Sequence, residues 1–417
     1  MSAHRDLRIS GERLWHTLTE TAQFGAIPGT ARGMCRLTLA EADVAVRHWF
    51  IAACKALGMT IAIDQLGTIR ARREGSDPAL APIGIGSHLD TQPTGGRFDG
   101  ILGVLAGLEV VRTLNEAGIV TRHPIEVIDW TNEEGARFAP AMVASGVFAG
   151  EFTLDYALAQ KDRDGVTLAE ALDHAGFAGP VEPGALPLAA HFELHIEQGP
   201  VLEAERLEIG VVEGVQGIRW YDVSVKGQTC HAGTTPMALR RDALHAAARL
   251  AIAVDAIGRS DPGQSLSTIG LFQAFPGSRN TAPGEVRMTV DLRHPEVAGL
   301  DRMEAALAAQ IAALEGETGC TATLSPIWSS PPVRFDPNVI AAIAGATQRL
   351  GYTHRAMLSG AGHDSVYTAR VAPTGMIFVP CENGISHNVA ENITPDEATR
   401  GANVLLQAVL DYDASAG

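Results

Sequence analysis

At 417 residues and 46% hydrophobic composition, the chain is longer than one hydrophobic core ordinarily serves, and two globular domains are expected. The 32 Lys and Arg against 48 Asp and Glu give a formal charge of −16, which excludes nucleic acids and anionic membrane surfaces as partners and requires a locally placed cation for any anionic substrate. Five scattered cysteines, Cys35, Cys54, Cys230, Cys320 and Cys381, have no metal-finger spacing; with a charged, signal-free start and no apolar run of membrane-spanning length, they predict a cytoplasmic protein.

In chain order, Thr38-Leu-Ala-Glu41 reads as a capping box opening a helix to about Leu57. A strand pair over 60–63 and 68–72 follows. The apolar run 82–86 reads as a buried strand, which delivers His88 and Asp90 at its carboxyl end, where open α/β sheets form ligand sites. His88 and Asp90 project to the same side, so the Asp90 carboxylate could orient the imidazole while it binds a metal. Asp99 then arrives on the Gly-rich loop Gly95-Gly-Arg-Phe-Asp-Gly100, just before a helix over 101–114, where it could bridge two cations or simply cap the helix.

A second strand over 124–131 delivers Asn132-Glu-Glu-Gly135. Neighbours in extended chain face opposite ways, so one of Glu133 and Glu134 could bind metal while the other faces the reaction; an isolated pair also suits a solvated acidic turn. Strands alternating with helices here predict an α/β fold with a mostly parallel sheet covered by helices. After a helix near 167–174, His191-Phe-Glu-Leu-His-Ile-Glu-Gln-Gly199 reads as a strand of period two, with Glu193, His195 and Glu197 on one face, any of which could ligate a metal.

The texture then changes: strands over 208–213, 218–226, 266–272 and 285–292 combine with helices over 240–257 and 299–317. This predicts an α+β domain, two helices on an antiparallel sheet, inserted into the first domain. His231 and Asn280 lie in its loops with hydrogen-bonding groups for substrate oxygens, and Arg293 ends a strand where it could hold a carboxylate bidentately. The α/β features resume with a helix over 337–350, the loop Ser359-Gly-Ala-Gly-His-Asp364, a strand over 373–379 and His387 in a turn. Thr394-Pro-Asp-Glu397 starts a final helix running to about Leu410.

Ser87-His-Leu-Asp90 with Gly96-Arg-Phe-Asp-Gly100, Thr131-Asn-Glu-Glu-Gly135, Glu193-Leu-His-Ile-Glu-Gln-Gly199, His231-Ala-Gly-Thr-Thr-Pro236 and Ser386-His-Asn388, in that order, resemble the amidase, hydantoinase and carbamoylase branch of the dinuclear metallopeptidase-like amidohydrolases. That branch includes N-carbamoyl-L-amino acid hydrolases, β-ureidopropionases and allantoate amidohydrolases. The resemblance implies a catalytic domain over 1–212 and 330–417 and an inserted lid and dimerisation domain over 213–329, in a homodimer. It implies two divalent ions, zinc or manganese with cobalt or nickel as alternatives, bridged by Asp99 and bound by His88, Glu134, His195 and His387, with Asp90 orienting a ligand. It further implies Glu133 as general base, His231 polarising the carbonyl, and Gln198, Asn280, Arg293 and the backbone around Gly362 holding the substrate.

The expected reaction is hydrolysis of a small N-carbamoyl or ureido acid, foremost an N-carbamoyl-L-amino acid, to the amino acid, ammonia and carbon dioxide. Allantoate or β-ureidopropionate hydrolysis are the alternatives, followed by aminoacylase or dipeptidase activity and a non-catalytic binding role.

Overall fold

The computed structural model describes residues 4–415. The chain divides into two compact units, Met1–Gly214 with Arg334–Gly417, and Val215–Val333.

The first unit is built on a nine-stranded sheet. Its strands run in the order Thr60–Ile63, Ile69–Arg73, Ile125–Asp129, Ile83–Ser87, Ala190–Ile196, Thr374–Val379 and Ile209–Val215; His354–Ser359 also pairs with the last, and a two-residue strand closes that edge. Ile83–Ser87 runs parallel to both its neighbours, and Thr374–Val379 runs parallel to Ala190–Ile196, while the flanking pairs are antiparallel. These four central strands are buried along their whole length, as a sheet covered on both faces requires. Helices Gly11–Thr21, Ile101–Glu116, Pro337–Leu350 and Pro395–Ser415 belong to this unit, and the last packs against the other three. Because the central strands are parallel, their carboxyl ends deliver residues 88–90, 130–134, 197–198 and 380–387 to one edge of the sheet.

The second unit has its own core, including Val223, Val225, Leu250, Val286, Val290 and Leu307. Its antiparallel sheet has the order Phe272–Phe275, Glu285–His294, Gly217–Lys226, Thr321–Ser330, and helices Ala243–Gly258 and Val297–Thr318 pack on it. Burial alternates along Glu285–His294, as expected for a sheet with one covered face. Cys230–His231 and Thr281–Ala282 form a separate two-stranded ribbon.

Three local expectations fail for identifiable reasons. The strand expected over 208–213 in the inserted domain is Ile209–Val215 and belongs to the first unit's sheet, because its main chain pairs with Thr374–Val379. The capping box at Thr38 does not form: the helix Glu41–Ala56 starts after Ala40 without a side-chain cap, because the Thr38 hydroxyl contacts Asp90 Oδ2 (2.8 Å) and Asn132 Oδ1 (3.1 Å). The strand expected over 266–272 breaks into Leu266–Thr268 and Phe272–Phe275, since the Thr289 hydroxyl takes the amide of Leu271 and interrupts the ladder. By contrast, Glu397 and Thr394 exchange capping hydrogen bonds at the start of the last helix. The helices Gly11–Thr21 and Val143–Phe148 were not foreseen.

Candidate metal centre

Asp99 lies 3% exposed at the start of the helix Ile101–Glu116, and its two carboxylate oxygens face two different sets of groups. Oδ1 is 3.0 Å from His195 Nε2 and 3.9 Å from His88 Nε2. Oδ2 is 3.4 Å from His387 Nε2, which is itself 3.4 Å from Glu134 Oε2. His88, Asp99 and His195 thus form one group able to hold a cation, and Asp99, Glu134 and His387 form a second. Gly100, with φ +68°, lets the chain turn here: a side chain on it would come within 2.3 Å of the His88 ring.

Local bonds orient each ligand candidate. His88 Nδ1 is 2.9 Å from the carbonyl of Asp90, and His195 Nδ1 is 2.9 Å from that of Ile196. Donation to those carbonyls fixes the tautomer that leaves each Nε2 lone pair facing Asp99. The Asp90 carboxylate does not perform the orienting expected of it. It is 3.8 Å from His88 Nδ1 and instead accepts the amides of Glu133 and Glu134 at 3.2 and 3.3 Å. The strand ends at Ser87, and in the chain beyond it main chain rather than side chain reaches the ring, while Asp90 orients the Glu133-Glu134 pair. Glu134 is held by Gln92, whose side-chain amide donates to Oε2 at 2.8 Å.

Of the three residues left open on the strand at 191–197, only His195 reaches Asp99. Glu193 is fully buried and its carboxylate accepts the hydroxyls of Ser87 and Ser365. Glu197 lies beyond the strand end and caps Val201 and Leu202. His363 packs edge-on to His195, with ring centroids 4.5 Å apart.

The electrostatics favour cations. Burial raises the proton affinity of Glu133, and the carboxylates of Asp364, Glu134, Asp90 and Asp99 raise it further. Glu134 is raised likewise by burial, Asp99 and Asp90. Burial opposes a charge on His195, but Asp99 and Glu193 outweigh it and raise its proton affinity; a cation bound here would take the place of that proton on Nε2. Burial lowers His88 to about 4, which keeps it in the neutral form a metal needs. The buried His195 Nε2 has no aligned hydrogen-bond partner although Asp99 lies 3.0 Å away. An imidazole nitrogen facing a carboxylate without hydrogen-bond alignment, inside a cluster of mutually repelling carboxylates, fits a divalent cation between them.

Glu133 is 6% exposed, with Oε2 3.5 Å from His88 Nε2. The Gln198 amide donates to Asp99 Oδ2 at 2.9 Å and lies 3.3 Å from His387 Nε2, so it contacts ligand candidates. Gly362 lies in the loop after Ser359, where an added side chain would meet Met142. The remaining candidates belong to the second unit. His231 pairs with Thr281 on the two-stranded ribbon, which makes it a neighbour of Asn280. Its Nδ1 accepts the amides of Gly233 and Thr234 at 3.0 and 3.2 Å, so a neutral ring carries its proton on Nε2. Arg293 holds the carboxylate of Asp291, two residues earlier on its own strand.

The sequence profile of the peptidase family M20/M25/M40 matches residues 84–411. The chain is 47% identical to the N-carbamoyl-L-amino-acid amidohydrolase of Rhizobium meliloti, over 97% of each chain. It is 38% identical to the enzyme of the same name from Paenarthrobacter aurescens, over 97% of this chain and 99% of that one. Among solved structures, an amidase of the hydantoinase/carbamoylase family from Burkholderia multivorans superposes with a TM-score of 0.94 and 52% identity, over 97% of this chain and 98% of that one.

Proposed function

This chain belongs to peptidase family M20/M25/M40, and we propose that it hydrolyses the carbamoyl C–N bond of N-carbamoyl-L-amino acids to give the amino acid, ammonia and carbon dioxide. The observation that carries this reading is the division of Asp99 between His88 and His195 on one oxygen and His387, with Glu134 beside it, on the other. Relatives of nearly the same length named for this activity support the substrate class.

His88, Asp99, Glu134, His195 and His387 would hold two divalent ions, zinc or manganese with cobalt or nickel as alternatives. When bound, such ions supply Lewis acidity toward water and the scissile carbonyl. Glu133 is the general base. Its carboxylate takes a proton from the water that adds to the carbamoyl carbon and passes it to the amino acid nitrogen as the C–N bond breaks. Cleavage there leaves carbamic acid, which decomposes to ammonia and carbon dioxide. The raised proton affinity of Glu133 suits this shuttle, because a base must also give its proton up to a leaving group.

His231 donates from Nε2 to the carbonyl oxygen as negative charge develops on it. Arg293, Asn280, Gln198 and the backbone around Gly362 bind the substrate carboxylate, which answers the charge problem of a chain at −16. To do so, Arg293 exchanges Asp291, and Gln198 exchanges Asp99, for the substrate. We assign the unit Val215–Val333 the part of lid and dimerisation domain, in a cytoplasmic homodimer. Five cysteines free of disulfides are compatible with a reducing compartment, and no helix among the described residues is long and apolar enough to cross a membrane.

The test is ammonia release by protein stripped and reloaded with manganese or zinc, across N-carbamoyl-L- and D-amino acids, β-ureidopropionate, allantoate, ureidoglycolate and an N-acetyl amino acid. Fast metal-dependent release from the carbamoyl-L-amino acids is expected. Faster release from another ureido acid would reassign the substrate, and silence across the panel with metal bound would overturn the proposal.

A further inference from the structure

Glu391 carries no part in the reaction above, yet its carboxyl is fully buried between two segments that bear metal-ligand candidates. Oε1 accepts the main-chain amides of Phe98 at 3.2 Å and Asp99 at 3.1 Å. Oε2 lies 3.2 Å from Ser386 Oγ, and the same hydroxyl is 2.9 Å from Asp99 Oδ2. One side chain therefore ties the Gly-rich loop carrying Asp99 to the turn carrying His387, across almost three hundred residues of sequence.

Two features show that the neighbourhood is built around this carboxyl. A Cβ at Gly96 would come within 2.3 Å of the Glu391 carboxyl, so the loop passes here only because Gly96 has no side chain. His387 has φ +54°, a conformation a non-glycine residue keeps only where its surroundings dictate it. The turn is fixed on one side by the Ser386 hydroxyl donating to Glu391 Oε2 and closed on the other by the Glu391 amide donating to the Asn388 carbonyl at 3.0 Å. Glu391 thus clamps both ends of the His387 turn, one with its side chain and one with its main chain.

We propose that Glu391 is a positioning residue that sets the Asp99 loop and the His387 turn at the separation at which Asp99 Oδ2, Glu134 and His387 bind one cation. The inference rests on reading these residues as metal ligands, and it predicts an asymmetry between the two ions. His88 and His195 lie at the ends of central strands and are oriented by the carbonyls of Asp90 and Ile196, so the ion between them shares only Asp99 with this clamp and depends less on Glu391. His387 sits on a half-exposed turn, and among the described residues no carbonyl orients its ring as those of Asp90 and Ile196 orient the other two.

Manganese binding by the full-length protein, followed by calorimetry and by metal analysis after desalting, tests this with Glu391→Ala, Glu391→Asp and Glu391→Gln. Unfolding midpoints of the metal-free proteins control for the fold. Glu391→Asp, too short to span both segments, and Glu391→Ala should keep one tight ion and bind the second about 10–100-fold more weakly. Glu391→Gln retains an acceptor for the two amides and should restore most of the second site. A folded Asp or Ala variant that binds both ions as the wild type does, or weakens both equally, overturns the proposal. A wild-type protein that binds fewer than two ions overturns the metal-centre reading as well, so the two failures are separable.

Discussion

Replacing Arg47 by Met should destabilise the first unit by about 3–5 kcal/mol, the usual cost of breaking a buried ion pair from one side. Arg47 is fully buried, with Nε 2.7 Å from Asp43 Oδ2 and Nη1 3.2 Å from Asp129 Oδ2. It also donates to the Gly67 carbonyl and to Thr131 Oγ1, so methionine keeps the stem but strands two carboxylates and two further acceptors. The penalty should grow with pH. Burial raises Asp129 to about 7, Arg47 opposes that rise, and Asp43 and Asp90 add to it. A carboxyl whose folded pKa lies above its unfolded value holds a proton that the unfolded chain has released, so stability falls as pH rises through that interval and levels off above the folded pKa. In the wild type the fall ends near pH 7. Without Arg47 the folded pKa moves higher, the fall continues, and the penalty should increase by about 1.4 kcal/mol between pH 7 and pH 8. Urea unfolding of both proteins at the two pH values, followed by tryptophan fluorescence, to which the buried Trp130 of the first unit contributes, measures the difference. A penalty below about 1 kcal/mol, or one that shrinks as pH rises, would refute the reasoning.

Glu133→Gln, which keeps the shape and removes the base, should lower turnover by about 10²–10⁴-fold while metal content stays at the wild-type value; unchanged turnover would remove Glu133 from its role. Chelation should abolish ammonia release and lower the unfolding midpoint, and readdition of metal at 100 times its dissociation constant should restore about 2.7 kcal/mol, read by thermal denaturation. His231→Ala should depress kcat and kcat/KM together, with metal content intact, because the contact forms as charge develops on the carbonyl. Burial raises the thiols of Cys54 and Cys381 to about 12. With iodoacetamide at pH 8, mass spectrometry should therefore find these two unlabelled in native protein, along with buried Cys320, while the part-exposed Cys35 and Cys230 react.

The parts of the site that were legible in the sequence are those whose signal is local. Short apolar runs bounded by turn residues mark the strands Ile83–Ser87 and Ile125–Asp129, and a strand end predicts which residues emerge beside one another. That placed His88 and the Glu133-Glu134 pair at the sheet edge, and a glycine-rich loop before a helix marked Asp99. The alternation at 191–197 put Glu193, His195 and Glu197 on one face but left open which of them meets a metal. All seven residues of Ala190–Ile196 are buried, because this strand lies between two parallel neighbours. Nothing local distinguishes His195, which meets Asp99, from Glu193, which meets two serines. Contacts such as Glu391 with the Asp99 amide or Arg47 with Asp129 leave no periodic trace, since their partners are fixed only when the sheet assembles.

Those unforeseen contacts share one physical origin. Asp43, Asp90, Asp99, Asp129, Glu133, Glu193, Asp364 and Glu391 are all buried in the first unit, and the buried arginines Arg36 and Arg47 provide only part of the compensating charge. Buried carboxylates survive by accepting hydrogen bonds, by taking up protons or by facing a cation. The members away from the sheet edge use the first two routes: Asp129 takes the Leu89 amide, Glu193 two hydroxyls, and Asp364 the hydroxyl of Ser145. Asp99, Glu133 and Glu134 face one another and three histidines, where further hydrogen-bond donors are few and repulsion is greatest. Divalent cations there would neutralise charge that the scaffold leaves uncompensated, so metal binding and folding stability draw on the same carboxylates. A substitution that weakens the inner network, such as Arg47→Met, should for that reason also weaken the metal centre through Asp129 and the Leu89 amide that it holds between His88 and Asp90.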